Sequence, residues 1–279
     1  MAPEISSFTK VELKLRKLYQ AQDKLPKLID DDQLEAQSLR EYYIKLRVVA
    51  KGDEGGEAVT MRELFSRRDG RPAGRVLITG GAGLGKSTLL HYVAFRWSLE
   101  AEPQAAAKGA CVVGAEDAEA TGGLWHDQFR RVLRVPLKIL SAVDAKQPMR
   151  ALVELVREGL NAHDVYDPRG ELFFEDNDVR ELLFDEKDAV RPGTLLLLDG
   201  FDEVAQEASR TGSVVRKVLD LAFTEFDHFV VTTRPNAVEL LPKSARVERE
   251  ILNIGLGADG VRKFLDSFFR DKRELRDSL

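Results

Sequence analysis

Residues 195 to 198 are four consecutive leucines, and in LLLLDGFDEV they run directly into Asp199, with Asp202 and Glu203 close behind. A strand with one wet face alternates apolar and polar residues. A run without alternation reads instead as a strand buried on both faces, as in parallel sheets covered by helices. The chain carries further segments of this kind. RVLIT (75 to 79), RVLRVPL (131 to 137), TLLLLD (194 to 199), FVVTT (229 to 233) and ARVEREILN (245 to 253) read as strands with helical stretches between them. That rhythm predicts an α/β fold: a doubly wound, parallel, five-stranded sheet with helices on both faces. In such sheets function gathers at the carboxyl ends of the strands.

Residues 7 to 50 read as helical, with Phe8, Val11, Leu15, Leu18 and Leu25 at helical spacing and Thr9 with Glu12 as a capping box. The polar, glycine-rich AKGDEGGEAVT (50 to 60) then breaks the pattern. The boundary is placed near residue 57, so that 1–56 is expected as an N-terminal helical appendage or linker and 57–279 as the main domain. The Ala- and Gly-rich segment 101–123 reads as a flexible surface insertion.

Bulk properties exclude several classes of protein. No apolar run approaches the roughly 20 residues of a membrane helix. The first residues, MAPEISSFTKVELKLRKLY, carry charges where a secretory signal needs an apolar stretch. A lone Cys111 builds neither a disulfide framework nor a zinc site, and His91, His126, His163 and His228 never fall at ligand spacing. These features predict a soluble, cytoplasmic chain. Its net charge of −5 argues against a dedicated nucleic-acid binder.

Directly after the first strand of the main domain comes GGAGLGKST, residues 80 to 88, which satisfies G-x-x-x-x-G-K-[ST] through Gly80, Gly85, Lys86 and Ser87. The expected nucleotide-binding residues are Gly80, Gly81, Ala82, Gly83, Leu84, Gly85, Lys86, Ser87 and Thr88. Glycines let backbone N–H groups converge on phosphate oxygens, and the start of the next helix adds its positive dipole end. Lys86 supplies a charge at the β- and γ-phosphates, and the Ser87 hydroxyl supplies a ligand for Mg²⁺. This reading explains the acids after the four leucines. Asp199 is expected to hold the Mg²⁺ with Ser87, while Asp202 and Glu203 orient or deprotonate the attacking water. FVVTTRPNA ends another buried strand at Thr232, Thr233 and Arg234, which places Arg234 within reach of a γ-phosphate. No Asn/Thr-Lys-x-Asp guanine reader follows the loop, so ATP or ADP is the expected nucleotide.

Taken in order, these motifs resemble the NACHT-type NTPases of the STAND class, which include NOD-like receptors and bacterial defence proteins. RVLITGGAGLGKSTLLHYVAFRW is similar to the phosphate-loop block of that family, GLWHDQFRRVLRVPL to its second strand, LLLLDGFDEV to its extended acidic motif and VVTTRP to its sensor 1. ILNIGLGADGVRKFLDSFF is similar to the segment leading into the helical domain, and the likeness spans residues 57 to 270. The resemblance implies that the Arg234 strand lies between the phosphate-loop and acidic strands, and that Val59 and Thr60 approach the base. It also implies slow hydrolysis, with nucleotide state controlling assembly with protein partners or with further copies. In the family, helical and winged-helix domains follow the NTPase core. Here the sequence stops at Leu279, so the closure those domains give is expected to be missing. Two other readings stay open at this point: a nucleotide-responsive interaction module without significant turnover, and an origin-recognition type of nucleic-acid ATPase.

Overall fold

A computed structural model describes residues 8–23, 48–50, 59–67, 70–99, 128–143, 147–162, 165, 167–255 and 262. The strands are β1 (Val48–Ala50), β2 (Arg75–Thr79), β3 (Arg131–Pro136), β4 (Thr194–Asp199), β5 (His228–Thr233) and β6 (Arg249–Asn253). They form one six-stranded sheet in the order β1-β6-β2-β5-β4-β3, in which β1 runs antiparallel to β6 and every other pairing is parallel. All six residues of β4 are buried. Because successive side chains of a strand point to opposite faces, this burial means that the sheet is covered on both sides at its centre, as the unbroken leucine run requires.

The longer helices are α1 (Lys10–Ala21), α2 (Lys86–Leu99), α3 (Pro148–Asn161), α4 (Asp176–Leu183) and α5 (Val214–Glu225). Helix α2 buries Leu89, Leu90, Val93, Ala94 and Trp97 at helical spacing, and also Tyr92, Phe95 and Ser98. Helix α3 starts with Pro148 in its first turn, where the missing N–H costs nothing, and lies against β3 and α5. No helix among the described residues is long and apolar enough to cross a membrane.

The α/β layering and the five strand positions agree with the sequence, but the sheet has a sixth, antiparallel edge strand. It comes from residues 48–50, the end of the stretch read as helical, and pairs Val49 with Leu252. The last strand is also shorter than expected. It starts at Arg249, because Lys243–Ala245 forms a 3-10 turn. The observed order places β5 between β2 and β4, as the resemblance implies.

Helix α1 is joined to the main core. Its Thr9–Glu12 capping box is present, and Leu15, Leu18 and Tyr19 are buried in the same apolar cluster as the sheet, against α2 and α4. The insertion 101–123 with Cys111, most of the break at 50–60, His126 and His163 lie outside the described residues. So does most of the segment after residue 255.

Candidate functional site

The site is built at the carboxyl ends of β2, β4 and β5. Strand β2 delivers Gly80, whose N–H donates to the Thr233 carbonyl at 3.2 Å and ties the loop to the tip of β5. The chain then turns through Gly83 (φ +72°) and Gly85 (φ +81°), left-handed values that favour glycine, before α2 begins at Lys86. The N–H groups of residues 81 to 86 donate no hydrogen bond among the described residues, as expected for a helix start that presents its donors outward. Lys86 Nζ folds back over the loop and donates to the carbonyls of Gly80 and Gly81, each at 2.8 Å. Burial lowers its pKa; the charge of Asp202 raises it, Arg234 lowers it and Asp199 raises it, with a net downward shift. Ala82 and Gly83 are exposed, and Leu84 and Thr88 are half-buried.

The loop is braced from β6. Asn253, fully buried at the end of that strand, donates through Nδ2 to the Leu84 carbonyl at 3.0 Å and accepts from Gly255 N at 3.0 Å through Oδ1. A Cβ on Gly80 would stand 2.7 Å from the Asn253 carbonyl oxygen, which is a backbone atom with no freedom to swing aside. Gly80→Ala is therefore expected to destabilise the fold by about 1–3 kcal/mol, the usual range for overpacking. Urea unfolding at the parent's midpoint would show this close approach to be unimportant.

Asp199 closes β4 and is 8% exposed. Its Oδ1 accepts from the Ser87 hydroxyl at 3.0 Å and from the Thr232 hydroxyl at 2.9 Å, and its Oδ2 faces Arg134 Nη2 at 3.4 Å. The Thr232 oxygen in turn accepts from Gly200 N at 2.9 Å, which locks the tips of β4 and β5 together. Asp202 sits in the 3-10 turn Phe201–Glu203, where Arg234 grips both carboxylate oxygens: its backbone N reaches Oδ1 at 3.2 Å and its Nε reaches Oδ2 at 2.8 Å. The Asp202 side chain is 13% exposed and that of Arg234 is 53% exposed. Glu203 is exposed and its carboxylate has no hydrogen-bond partner among the described residues.

Lys86, Ser87, Asp199, Asp202 and Arg234 thus lie in one hydrogen-bonded and electrostatically linked group, with Glu203 beside it. Val59 and Thr60 are not joined to it. Val59 packs on the apolar core, and Thr60 exchanges hydrogen bonds with Glu63 to cap the short turn Met61–Leu64. No hydrogen bond among the described residues links either to residues 80–88. Arg134 and Asn253 belong to the site and were missed from sequence. Each is a polar residue near the carboxyl end of a strand, and that position is the signal that could have found them.

No protein-family model matches this sequence, and no curated protein matches it. The functional reading rests on the site's own residues.

Proposed function

We propose that this chain is a P-loop nucleoside triphosphatase that binds Mg·ATP or Mg·ADP in the crevice at the ends of β2, β4 and β5. The observation that carries the reading is the Ser87–Asp199 contact of 3.0 Å, which brings the last residue of the glycine-loop motif onto the acid that ends the central strand. Two residues 112 positions apart in sequence meet where the pattern G-x-x-x-x-G-K-[ST] requires a hydroxyl and a carboxylate to share a cation.

The donor set suits Mg²⁺. One hydroxyl and one carboxylate are hard oxygen ligands, too few for an all-protein cage but right for a cation that keeps several waters and takes phosphate oxygens. Among the described residues no cluster of three or more His, Cys, Asp or Glu offers a fuller metal site. When bound, Mg²⁺ would neutralise charge on the phosphate oxygens as the terminal bond breaks.

The protein's own groups do the rest. Backbone N–H groups of the loop and Lys86 Nζ hold phosphate, Lys86 exchanging two carbonyls for phosphate oxygens, which as anions bind it more strongly. Arg234, held by Asp202 and half exposed, senses the terminal phosphate. Glu203, exposed and unpaired among the described residues, is the freer of the two acids to accept a proton from water, and Asp202 keeps Arg234 in place. The grip of Arg234 on Asp202 also favours a second reading, a nucleotide-responsive interaction module that turns over too slowly for hydrolysis to matter. In either case the nucleotide state would control assembly with protein partners or with further copies of the chain.

One experiment separates the two. Asp202→Asn with Glu203→Gln is expected to lower ATP turnover by about 10²- to 10⁴-fold, the usual worth of general acid–base assistance, while Mg·ATP affinity changes little. A double variant hydrolysing at a substantial parental rate removes these acids from the chemistry. A parent that binds ATP and hydrolyses none establishes the second reading.

A further inference from the structure

Arg134 is a cation placed where a cation ligand must work. It lies on β3, four residues into the strand, and its backbone N–H donates to the hydroxyl of Tyr19 at 3.0 Å. Tyr19 is itself fully buried and packed edge-on against Trp97. The main chain at Arg134 is therefore pinned. The guanidinium is held by a weaker contact. Its Nη2 reaches Asp199 Oδ2 at 3.4 Å, well beyond the roughly 2.7–2.9 Å of a good charge-assisted hydrogen bond, and its Nε is buried without a partner. Asp199 is its only ion-pair partner among the described residues. His91 is near enough to feel its charge and offers no counter-charge. Burial first and then the positive charge of Arg134 push the His91 pKa down to about 4, so the ring is neutral near pH 7.

The two oxygens of Asp199 are thus divided. Oδ1 belongs to Ser87 and Thr232, bonds of ordinary length that orient the carboxylate; Oδ2 faces, among the described residues, one cationic partner at a stretched 3.4 Å. We propose that Arg134 is a positioning residue that competes with Mg²⁺ for Asp199, so that its release of Oδ2 sets the Mg²⁺ concentration at which the pocket takes up nucleotide. Two positive charges cannot share one carboxylate oxygen without mutual repulsion, and Arg134, held at one weak contact, is the one that yields. The inference rests on the nucleotide-binding reading above and assigns Arg134 a role in metal affinity rather than in phosphate affinity.

The test is a Mg²⁺ titration of fluorescent ATP analogue binding at fixed nucleotide, run on the parent, Arg134→Met, Arg134→Gln and Arg134→Lys. Metal binding by the free nucleotide is common to all four, so differences report the protein. Losing a partly exposed ion pair is worth at most about 1 kcal/mol, so both neutral variants are expected to reach half-saturation at about two- to fivefold lower Mg²⁺. Arg134→Lys keeps a charge and stays near the parent. Nucleotide affinity in EDTA is expected to be the same in all, a separation that general damage to the pocket does not produce. Thermal melting checks each fold, and either neutral variant suffices. An unchanged or raised half-saturation point in a folded neutral variant overturns the role of Arg134 while leaving nucleotide binding intact. A folded parent that takes up no nucleotide at any Mg²⁺ concentration overturns the nucleotide reading and this inference together.

Discussion

Lys86→Ala is expected to weaken Mg·ATP binding by about 100-fold or more. Its ammonium makes two 2.8 Å contacts to the loop carbonyls of Gly80 and Gly81, so its position over the loop is set before any ligand arrives. Exchanging neutral carbonyls for phosphate oxygens makes both partners of these bonds ionic, and such bonds are worth about 1.5–3 kcal/mol each when made in a fixed geometry. Two such bonds lost correspond to about 3 kcal/mol or more, hence the factor of 100. A surface ion pair gives far less because both partners must be ordered and are screened by salt; here the loop and the start of α2 do the ordering. The fold should survive, since Lys86 is only half-buried and lies at the end of the loop rather than in the apolar core. Calorimetry with Mg·ATP and with Mg·ADP on variant and parent decides the matter. Affinities within threefold of each other, in a variant that melts like the parent, end the nucleotide-binding reading.

What could be read from the sequence was whatever is encoded in a short window. The leucine run of β4 fixes burial on both faces within six residues, and GGAGLGKST fixes loop and helix start within nine. The tip of β5 was legible for the same reason. Its apolar run ends at Thr232, and Thr232 is found on Asp199. What was not legible depends on partners far apart in the chain. Strand β1 is three residues long, too short for any periodicity, and exists through pairing with β6 some two hundred residues later. Asn253 and Arg134 acquire their roles only once the sheet order sets β6 beside β2 and β3 beside β4. Val59 and Thr60 were read only from the resemblance, and what the described residues show of Thr60 is a reciprocal cap with Glu63. The capping box at Thr9 and Glu12 was legible as local chemistry, but its larger role was not, because Glu12 also reaches residues 130 and 131.

That reach gives Glu12 a large expected stability effect. Its side chain is 2% exposed and accepts from Arg130 Nε at 2.7 Å and Arg130 Nη2 at 2.9 Å, a two-pronged pairing, while Arg131 Nη2 stands 2.9 Å from the same Oε1. Thr9 N donates to Oε2 at 2.9 Å, so one carboxylate caps α1 and pins it to the start of β3. Glu12→Ala leaves Arg131, 6% exposed, without that carboxylate, and is expected to cost about 3–5 kcal/mol, the usual result of breaking one side of a buried pair. Burial alone would raise the Glu12 pKa; the Arg130 hydrogen bond, the Thr9 N–H and the charges of Arg131 and Arg130 outweigh it and hold the group below its ordinary 4.5. A depressed carboxylate pKa means that the unfolded chain binds the proton first on acidification. The stabilisation is therefore complete above about pH 4.5 and disappears as pH falls through the lower folded value. His91 acts in a different window. With its pKa lowered from 6.5 to about 4, the unfolded chain again takes the proton first, so stability declines as pH drops from about 6.5 towards 4. Urea unfolding of parent and Glu12→Gln at pH 7, 5 and 3.5 distinguishes the two groups. The variant is expected to be weaker at pH 7, to share the parent's loss between pH 7 and 5, and to lack the further loss below pH 4.5 that protonation of Glu12 causes. A Glu12→Ala protein within about 1 kcal/mol of the parent at pH 7 would mean that α1 is held by Leu15, Leu18 and Tyr19 alone and that the ion cluster adds nothing.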